Sequence, residues 1–316
     1  AIRRGPMKVP TLGTSVFSTT STSTDTGTIT SNFPTDMVLS LDRTAGQAAF
    51  NRMLQDRLRG DFKILDTSTT NAENSNSSSV SFNSNTGIVL NGGGVYSNGF
   101  VHEQFRRAPS FFDEVCYTGT GSALTVSHNL AAVPELIIGK NRTTVGNNWP
   151  VLFNFASTTM NYGFLNLTNS CPNDTYANVG VFSAAPTSTS MFLISSGSMN
   201  TSTNNHVAYL FATCAGVSKV FSYTGNGSSQ TINCGFTAGS RFVMIKRTDS
   251  TGDWYVWDTA RGIIAGNDPH LSLNTTAAEV TTDDTIDTDN TGFVVNQLSA
   301  TNVNVTSATY IGLAVA

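Results

Sequence analysis

The sequence has few charged residues. Asp, Glu, Lys and Arg make up 12% of its 316 residues, against about 25% in an average globular domain. The formal net charge is −4, and basic residues form nothing larger than adjacent pairs such as Arg3 with Arg4. Nucleic-acid binding depends on a clustered basic surface, so we expect no nucleic-acid partner.

Long apolar runs are also missing. A membrane-spanning helix needs about 20 predominantly apolar residues in a row, and no stretch of the sequence approaches that length. We therefore expect no insertion into a membrane.

Cysteine is scarce, with Cys116, Cys171, Cys214 and Cys234 as the whole complement. No two of them have the close C-x2-C spacing of a zinc site. They do not recur at matching positions of the repeat described below, as a disulfide framework would. We predict four free, mostly buried thiols, consistent with assembly in a reducing cytoplasm, and neither a metal nor a cofactor.

Ser, Thr, Asn and Gly take the place of the missing charge. Ala, Leu, Glu and Lys, the usual material of long helices, are scarce. Val, Ile, Phe, Thr and Tyr instead occur in short runs between clusters of Gly, Asn and Ser, which favours strands and turns. The composition predicts an all-β protein.

The chain repeats itself. VCYTGTG at 115–121 returns as FSYTGNG at 221–227. Three blocks of the N-terminal third also return, in the same order, in the C-terminal third: DRLRG at 56–60 with DTARG at 258–262, STTNAE at 68–73 with NTTAAE at 274–279, and TGIVLN at 86–91 with TGFVVN at 291–296. Matching order and spacing indicate three copies of one unit of roughly 100 residues, a usual domain size.

We therefore predict three tandem antiparallel β-sandwich (jelly-roll-like) domains related by an internal repeat. They span 16–110, 111–216 and 217–316, after an N-terminal arm at 1–15. Short strands separated by Gly, Asn and Asp turns are typical of sandwiches. An apolar run in each unit predicts a central strand buried on both faces. These runs are MVLSLDR at 37–43, LIIGKNR at 136–142 and FVMIKR at 242–247.

An Asp-x-x-Arg-Gly segment recurs in the first and third units. Asp56 with Arg59, and Asp258 with Arg261, are spaced for a local ion pair ahead of a glycine turn. The second unit has FNFAS at 153–157 instead. Because catalysis by carboxylates would need a pair of them in a cleft, this loss favours a structural ion pair over a catalytic one.

Four aromatic residues are the candidates for ligand recognition. Trp149, Trp254, Tyr255 and Trp257 follow the central strands of the second and third units. Exposed rings stack on sugar faces and give a large contact area at low entropic cost. The alternative is that at least two of these rings belong to the core.

The remaining motifs argue against metal binding and catalysis. DTDNTG at 287–292 begins like a calcium loop, but its twelfth position is Leu298, where the bidentate Glu belongs. No histidine has the spacing of a metalloprotease motif, and no G-x-S-x-G elbow occurs. We expect a solvated acidic turn, and we expect that the protein is not an enzyme.

The third unit resembles a β-domain that is repeated in tail and tail-fibre proteins of marine, cyanophage-like bacteriophages. The similarity extends to HVAYLFA at 206–212 in the second unit and covers almost the whole chain from about Val16. It is carried by YTGNG at 223–227, RFVMIKR at 241–247, GDWYVWDTARG at 252–262, LNTTAAE at 273–279 and YIGLAV at 310–315.

The resemblance implies a virion protein that is assembled in the host cytoplasm. Our first hypothesis is a tail fibre or tail-tip adhesin that presents loops to host-surface polysaccharide. Its partners would be other virion proteins and itself, in a homo-oligomer, with a trimer as the commonest arrangement of such fibres. The alternative is a purely architectural component without a ligand, such as a head decoration, a collar or a tail-associated protein. A third hypothesis, a depolymerase, would need a carboxylate pair in a groove.

Overall fold

The computed structural model describes residues 8–44, 52–97, 99–195 and 197–316. Within these ranges the regular structure is almost entirely strand, and every strand pairing is antiparallel. Two short helices are present, a 3-10 turn at Gly13–Ser15 and the α1 helix at Tyr176–Val179. The prediction of an all-β chain is confirmed. In the described part of the chain no helix has the length and apolarity to cross a membrane.

We call 16–110, 111–216 and 217–316 the first, second and third segments. The first contains β1 Phe17–Thr22, β2 Thr26–Thr30, β3 Met37–Asp42, β4 Arg52–Asp56, β5 Lys63–Asp66, β6 Asn74–Ser75, β7 Val80–Ser81, β8 Gly87–Asn91 and β9 Phe100–Phe105. The second contains β10 Phe112–Thr118, β11 Leu124–Ser127, β12 Leu136–Asn141, β13 Pro150–Phe153, β14 Thr159–Phe164, β15 Asn173–Thr175, β16 Phe182–Ala184, β17 Ser190–Leu193 and β18 Asn205–Phe211. The third contains β19 Ser218–Thr224, β20 Ser229–Asn233, β21 Phe242–Arg247, β22 Trp254–Asp258, β23 Leu271–Ser272, β24 Ile286–Asp289, β25 Gly292–Asn296 and β26 Thr309–Val315.

Each segment contributes one large and one small sheet. The large sheets have the orders β1-β9-β3-β4-β5-β6, β10-β18-β12-β13-β14-β15 and β19-β26-β21-β22-β23, and the small sheets β2-β8-β7, β11-β17-β16 and β20-β25-β24. A jelly roll is built from two Greek keys, whereas here β12 to β15 run as a four-stranded meander within one sheet. The jelly-roll-like detail of the prediction therefore does not match the strand order.

The central strands β3, β12 and β21 are buried on both faces, as the apolar runs predict. Every residue of β3 and β12 is buried, and Arg247 is the single partly exposed residue of β21. Alternate side chains enter different cores because successive strand residues point to opposite faces. In β21, Phe242 and Met244 face the other large sheets, while Val243 and Ile245 face the small sheet of the same segment.

The three large sheets pack on one apolar cluster, which we call the shared core. Rings from different segments meet there: the ring centroids of Phe105 and Phe211 are 6.0 Å apart, and those of Phe105 and Phe242 are 5.8 Å apart. A second cluster lies between the two sheets of each segment. The predicted units therefore do not have wholly separate cores, because apolar residues of all three large sheets lie in this one shared cluster.

The predicted boundaries fall in short connections at one end of the large sheets. The turn before β10 is closed by Phe111 N–H to Ala108 O at 3.2 Å, and the turn before β19 by Val217 N–H to Cys214 O at 2.9 Å. The predicted arm at 1–15 is described from residue 8 onward. Gly13 lies so close to the end of β26 that a Cβ atom on it would be 1.8 Å from the carbonyl oxygen of Ala316. This part of the arm packs on its own chain.

Candidate functional site

The structure places three of the four candidate aromatic residues in the interior. Trp149, Trp254 and Trp257 are each 0% exposed, whereas Tyr255 is half-buried. Trp149 and Trp254 belong to the shared core, and Trp257 lies between the two sheets of the third segment. The prediction that these three rings recognise a ligand is therefore corrected: they are core residues, and apolar side chains of neighbouring sheets cover them. Of the four candidate residues, Tyr255 is the one whose ring can contact a ligand.

Two core tryptophans, Trp149 directly before β13 and Trp254 at the start of β22, join one large sheet to the next. Trp149 Nε1–H donates to Asp66 O, the last residue of β5, at 3.0 Å. Trp254 Nε1–H donates to Phe164 O, the last residue of β14, at 2.9 Å. In the first segment Arg52 holds the matching position. Its Nε–H donates to Ser272 O, the last residue of β23, at 2.7 Å.

A buried cation accompanies each of these positions. Lys140 Nζ lies 5.4 Å from the ring centroid of Trp149, and Lys246 Nζ lies 5.9 Å from that of Trp254, within cation–π range. Burial lowers the pKa of Lys140 to about 8. In the large sheet of the first segment the central strand carries Leu41 where the other two central strands carry a lysine. Leu41 pairs with Arg52, so in this sheet the cation lies on β4.

The predicted ion pairs form, and both are fully buried. Asp56 pairs with Arg59, whose Nη1 also lies 3.2 Å from a Glu73 carboxylate oxygen. Asp258 pairs with Arg261, whose Nη1 lies 3.6 Å from Glu279.

A side chain from another segment reaches each pair. Tyr209 of β18 donates its hydroxyl to Asp56 Oδ2 at 2.6 Å. Thr19 of β1 donates to Asp258 Oδ1 at 3.2 Å. Besides holding a local turn, each ion pair therefore anchors a neighbouring sheet. The second segment has Phe153 in place of the aspartate, and Leu313 of β26 is in place of Tyr209; both lie in the shared core.

A second set of contacts between segments was not foreseen from the sequence. Arg142 Nε donates to Glu73 Oε2 at 2.8 Å, and Arg43 Nη2 donates to Glu279 Oε2 at 2.8 Å. The backbone N–H of each glutamate also bonds to the carbonyl oxygen of its arginine, at 2.9 and 3.0 Å. Between the second and third segments the same backbone bond joins uncharged residues, Cys171 N–H to Thr248 O at 2.8 Å.

Two buried glutamates stand beside the ion pairs. Burial raises the pKa of Glu103 well above its usual value, and the neighbouring Asp258 raises it further. Burial, followed by the charge of Asp56, has the same effect on the pKa of Glu114. Both environments favour the neutral carboxylic acid.

Tyr255 lines a depression in the surface of the third segment, which we call the Tyr255 depression. It has a volume of about 340 Å³. Its walls are formed by β22, β23 and the segment 275–283. The lining side chains that bear on binding are Asp253, Tyr255, His270, Ser272, Thr275 and Asp283.

The acidic turn at 287–292 forms a tight hairpin between β24 and β25. Asp289 Oδ1 accepts hydrogen bonds from the backbone N–H of Thr291 at 2.8 Å and from its hydroxyl at 2.6 Å. Asp287 accepts from Asn296 Nδ2 at 2.8 Å. No cluster of three or more His, Cys, Asp or Glu side chains suited to a metal ion occurs among the described residues.

The thiols are unpaired, as the sequence predicts. Cys171, Cys214 and Cys234 are buried, whereas Cys116 is exposed.

The sheets and their contacts define an all-β protein in which buried polar side chains join neighbouring sheets. A family model described as a domain of unknown function, DUF7483, matches residues 106–316, about two thirds of the chain. The chain belongs to the DUF7483 family. The match begins in the connection that leads into β10, so the strands β1 to β9 of the first segment lie outside it. No curated protein and no solved structure matches the chain.

Proposed function

We propose that this protein is a structural component of a bacteriophage virion, a tail fibre or tail-tip adhesin that holds its loops toward glycans of the host surface. The observation that carries the proposal is the use of the recurring polar groups. Asp56, Arg59, Asp258 and Arg261 lie inside the molecule and bind neighbouring sheets, where they add rigidity and cannot reach a substrate. This use favours a structural role over turnover.

The three segments are copies of one two-sheet module arranged in a closed ring. Three hydrogen bonds support this arrangement: the second segment donates to the first through Trp149, the third to the second through Trp254, and the first to the third through Arg52. Donors at matching positions reach acceptors at matching positions, as in a threefold assembly. A single chain thus imitates a trimer.

Attachment by such a module is passive. Several weak loop contacts on a rigid body add up when more than one copy engages the surface. We propose that the protein self-associates, as a homo-oligomer, and binds other virion proteins. Binding to a polar, weakly charged surface should depend little on ionic strength, since salt screens charge interactions over about 8 Å at physiological strength.

Binding of the purified full chain to host cells and to a glycan array tests the proposal. We expect cell binding that changes less than about twofold between low and seawater salt. Absence of binding to cells and to the array by the assembled protein would contradict an adhesin. Release of reducing sugar ends from host polysaccharide would instead indicate a depolymerase.

The second candidate function is a purely architectural one. It is favoured by the burial of Trp149, Trp254 and Trp257, which leaves a single aromatic residue of the predicted recognition set at the surface. A density map of the virion separates the two functions. An adhesin lies at the distal end of the tail with the third segment exposed, whereas an architectural component is covered by neighbouring proteins.

A further inference from the structure

We propose that the Tyr255 depression binds a neutral, hydroxyl-rich saccharide. This inference rests on the proposed attachment function and names the site and the ligand class within it.

Size and shape suit one or two sugar rings. The depression has a volume of about 340 Å³, near the lower limit of small-ligand pockets. Ala277, Ala278 and Val280 contribute apolar surface beside the Tyr255 ring. A sugar offers a comparable mixture, with C–H groups on its faces and hydroxyls around its edge.

Tyr255 is held in a fixed orientation. The ring centroid of Trp257 lies 5.8 Å away, and that of His270 lies 5.3 Å away with the two rings nearly perpendicular. Trp257 itself is completely buried, so it supports the Tyr255 ring from the interior. A rigidly supported ring gives contact area without loss of rotamer freedom on binding.

Oriented acceptors lie on the same wall. Asp253 Oδ1 accepts from Asn274 Nδ2 at 2.7 Å, and Asn274 Oδ1 accepts from the backbone N–H of Trp254 at 2.9 Å. Among the described residues, Asp253 Oδ2 has only a long contact, 3.4 Å, with the Ser272 hydroxyl. A carboxylate can accept about four hydrogen bonds, so Asp253 retains capacity for sugar hydroxyls.

Further polar capacity is unused around the depression. The hydroxyl oxygen of Thr275 and Nδ1 of His270 have no hydrogen-bond partner among the described residues. Within the described part of the chain, the Tyr255 hydroxyl has only a 3.5 Å contact with Ala300 O. Buried polar groups left without partners are costly, and small movements on binding would let a ligand hydroxyl or a bridging water satisfy them.

Charge decides between neutral and acidic saccharides. Asp253 and Asp283 line the depression, and no Lys or Arg lines it within the described part of the chain. Burial lowers the pKa of His270, which favours the neutral imidazole. A carboxylate or sulfate on the ligand would therefore meet like charge without a compensating cation.

The depression is particular to the third segment. The register of the strands places Met53 and Pro150 at the position of Tyr255, and neither offers an aromatic face. We therefore expect one saccharide site in each chain.

Titration of the full chain with matched sugars tests the inference. The probes are methyl glucoside and methyl galactoside, their disaccharides, and the corresponding glucuronide and galacturonide. Tryptophan fluorescence and saturation-transfer NMR report binding, because Trp257 lies directly behind Tyr255. We expect at least one neutral probe to bind, and its acidic counterpart to bind at least about tenfold more weakly.

Variants locate the site. Tyr255→Ala and Asp283→Asn should each weaken binding of the neutral probe by about tenfold or more, and Asp283→Asn should narrow the difference between neutral and acidic probes. Tyr162→Ala, a change of a half-buried tyrosine in the second segment, is the matched control and should leave binding unchanged. Thermal unfolding shows whether each variant is folded. If Tyr255→Ala does not fold, Asp283→Asn provides the test of the site.

The outcomes separate this inference from the proposed function. If both folded variants bind cells as well as the wild type does, the proposed saccharide site is wrong, whereas the proposed attachment function is unaffected. Equal binding of acidic and neutral probes overturns the ligand class. Cell binding without binding of any probe overturns the inference alone, whereas failure to bind both cells and probes overturns attachment as well.

Discussion

Tyr209 donates its hydroxyl to the carboxylate of Asp56 at 2.6 Å, across the boundary between the second and first segments. Both side chains are buried. Removing the hydroxyl in Tyr209→Phe leaves a buried carboxylate oxygen short of a donor, and a hydrogen bond to a charged group contributes about 1.5–3 kcal/mol. We expect the free energy of unfolding in urea to fall by about that amount.

Tyr117→Phe is the control for this prediction. The Tyr117 hydroxyl donates to Met199 O at 2.8 Å within one segment, and a bond to a neutral carbonyl contributes about 0.5–1.5 kcal/mol. A loss in Tyr209→Phe no larger than that in Tyr117→Phe would contradict the stabilising role assigned to the contact between segments.

The Asp258–Arg261 pair should show strong coupling. Both side chains are fully buried, so removal of one partner leaves an uncompensated charge that costs about 3–5 kcal/mol. We expect Asp258→Leu and Arg261→Met each to destabilise the protein by about that amount, and the double variant to cost clearly less than the sum. A double-mutant cycle in urea measures the coupling, and additive losses would argue against the pair.

Strand geometry explains which features of the ion pairs and of the tryptophans could be predicted from the sequence. Spacing alone predicted the local pairs Asp56 with Arg59 and Asp258 with Arg261, because three residues of chain bring the partners together. The period of two in a strand means that Trp254 and Trp257, once they are assigned to one strand, lie on opposite faces of it. It could not show that both faces are covered, because the covering groups come from another segment and from the small sheet.

Long-range partners left no local signal. Tyr209 lies far along the chain from Asp56, and Arg142 likewise from Glu73. A signal did exist in comparisons between the three segments. Where the second segment has Phe153 in place of aspartate, β26 has Leu313 in place of Tyr209. Such paired changes between segments indicate which positions meet across segment boundaries.

The buried Glu103 should make stability depend on pH. Its pKa is raised in the folded state by burial and by Asp258. Below about pH 4.5 the carboxyl is protonated in both states and its contribution to stability is complete. Above that, the unfolded chain releases the proton while the folded chain keeps it, so stability falls as pH rises toward the folded-state pKa. Glu103→Gln, which cannot ionise, should remove this part of the decline.

Urea unfolding of wild type and Glu103→Gln between pH 4.5 and 8 tests the sign of this pH dependence of stability. We expect the difference in unfolding free energy to move in favour of the variant as pH rises, by at most about 1.4 kcal/mol for each pH unit between the unfolded-state and the folded-state pKa of Glu103. Glu114→Gln, beside Asp56, should behave in the same direction. A difference that is constant with pH would show that the carboxyl ionises alike in both states.

The contact between Gly13 and Ala316 predicts that the chain tolerates circular permutation. The two residues meet at the end of the large sheets where the other two connections between segments lie. A short Gly-Ser linker from Ala316 to Gly13, with new termini between Ala215 and Gly216 in the partly exposed turn before β19, should give a folded protein. We expect native tryptophan fluorescence and an unfolding free energy within about 2 kcal/mol of wild type, since the same loops are closed in a different order.

In the unpermuted chain, Gly13→Ala should destabilise the protein by about 1–3 kcal/mol through overpacking against the Ala316 carbonyl. A permutant that fails to fold, together with a harmless Gly13→Ala, would show that the first and third segments do not close the ring.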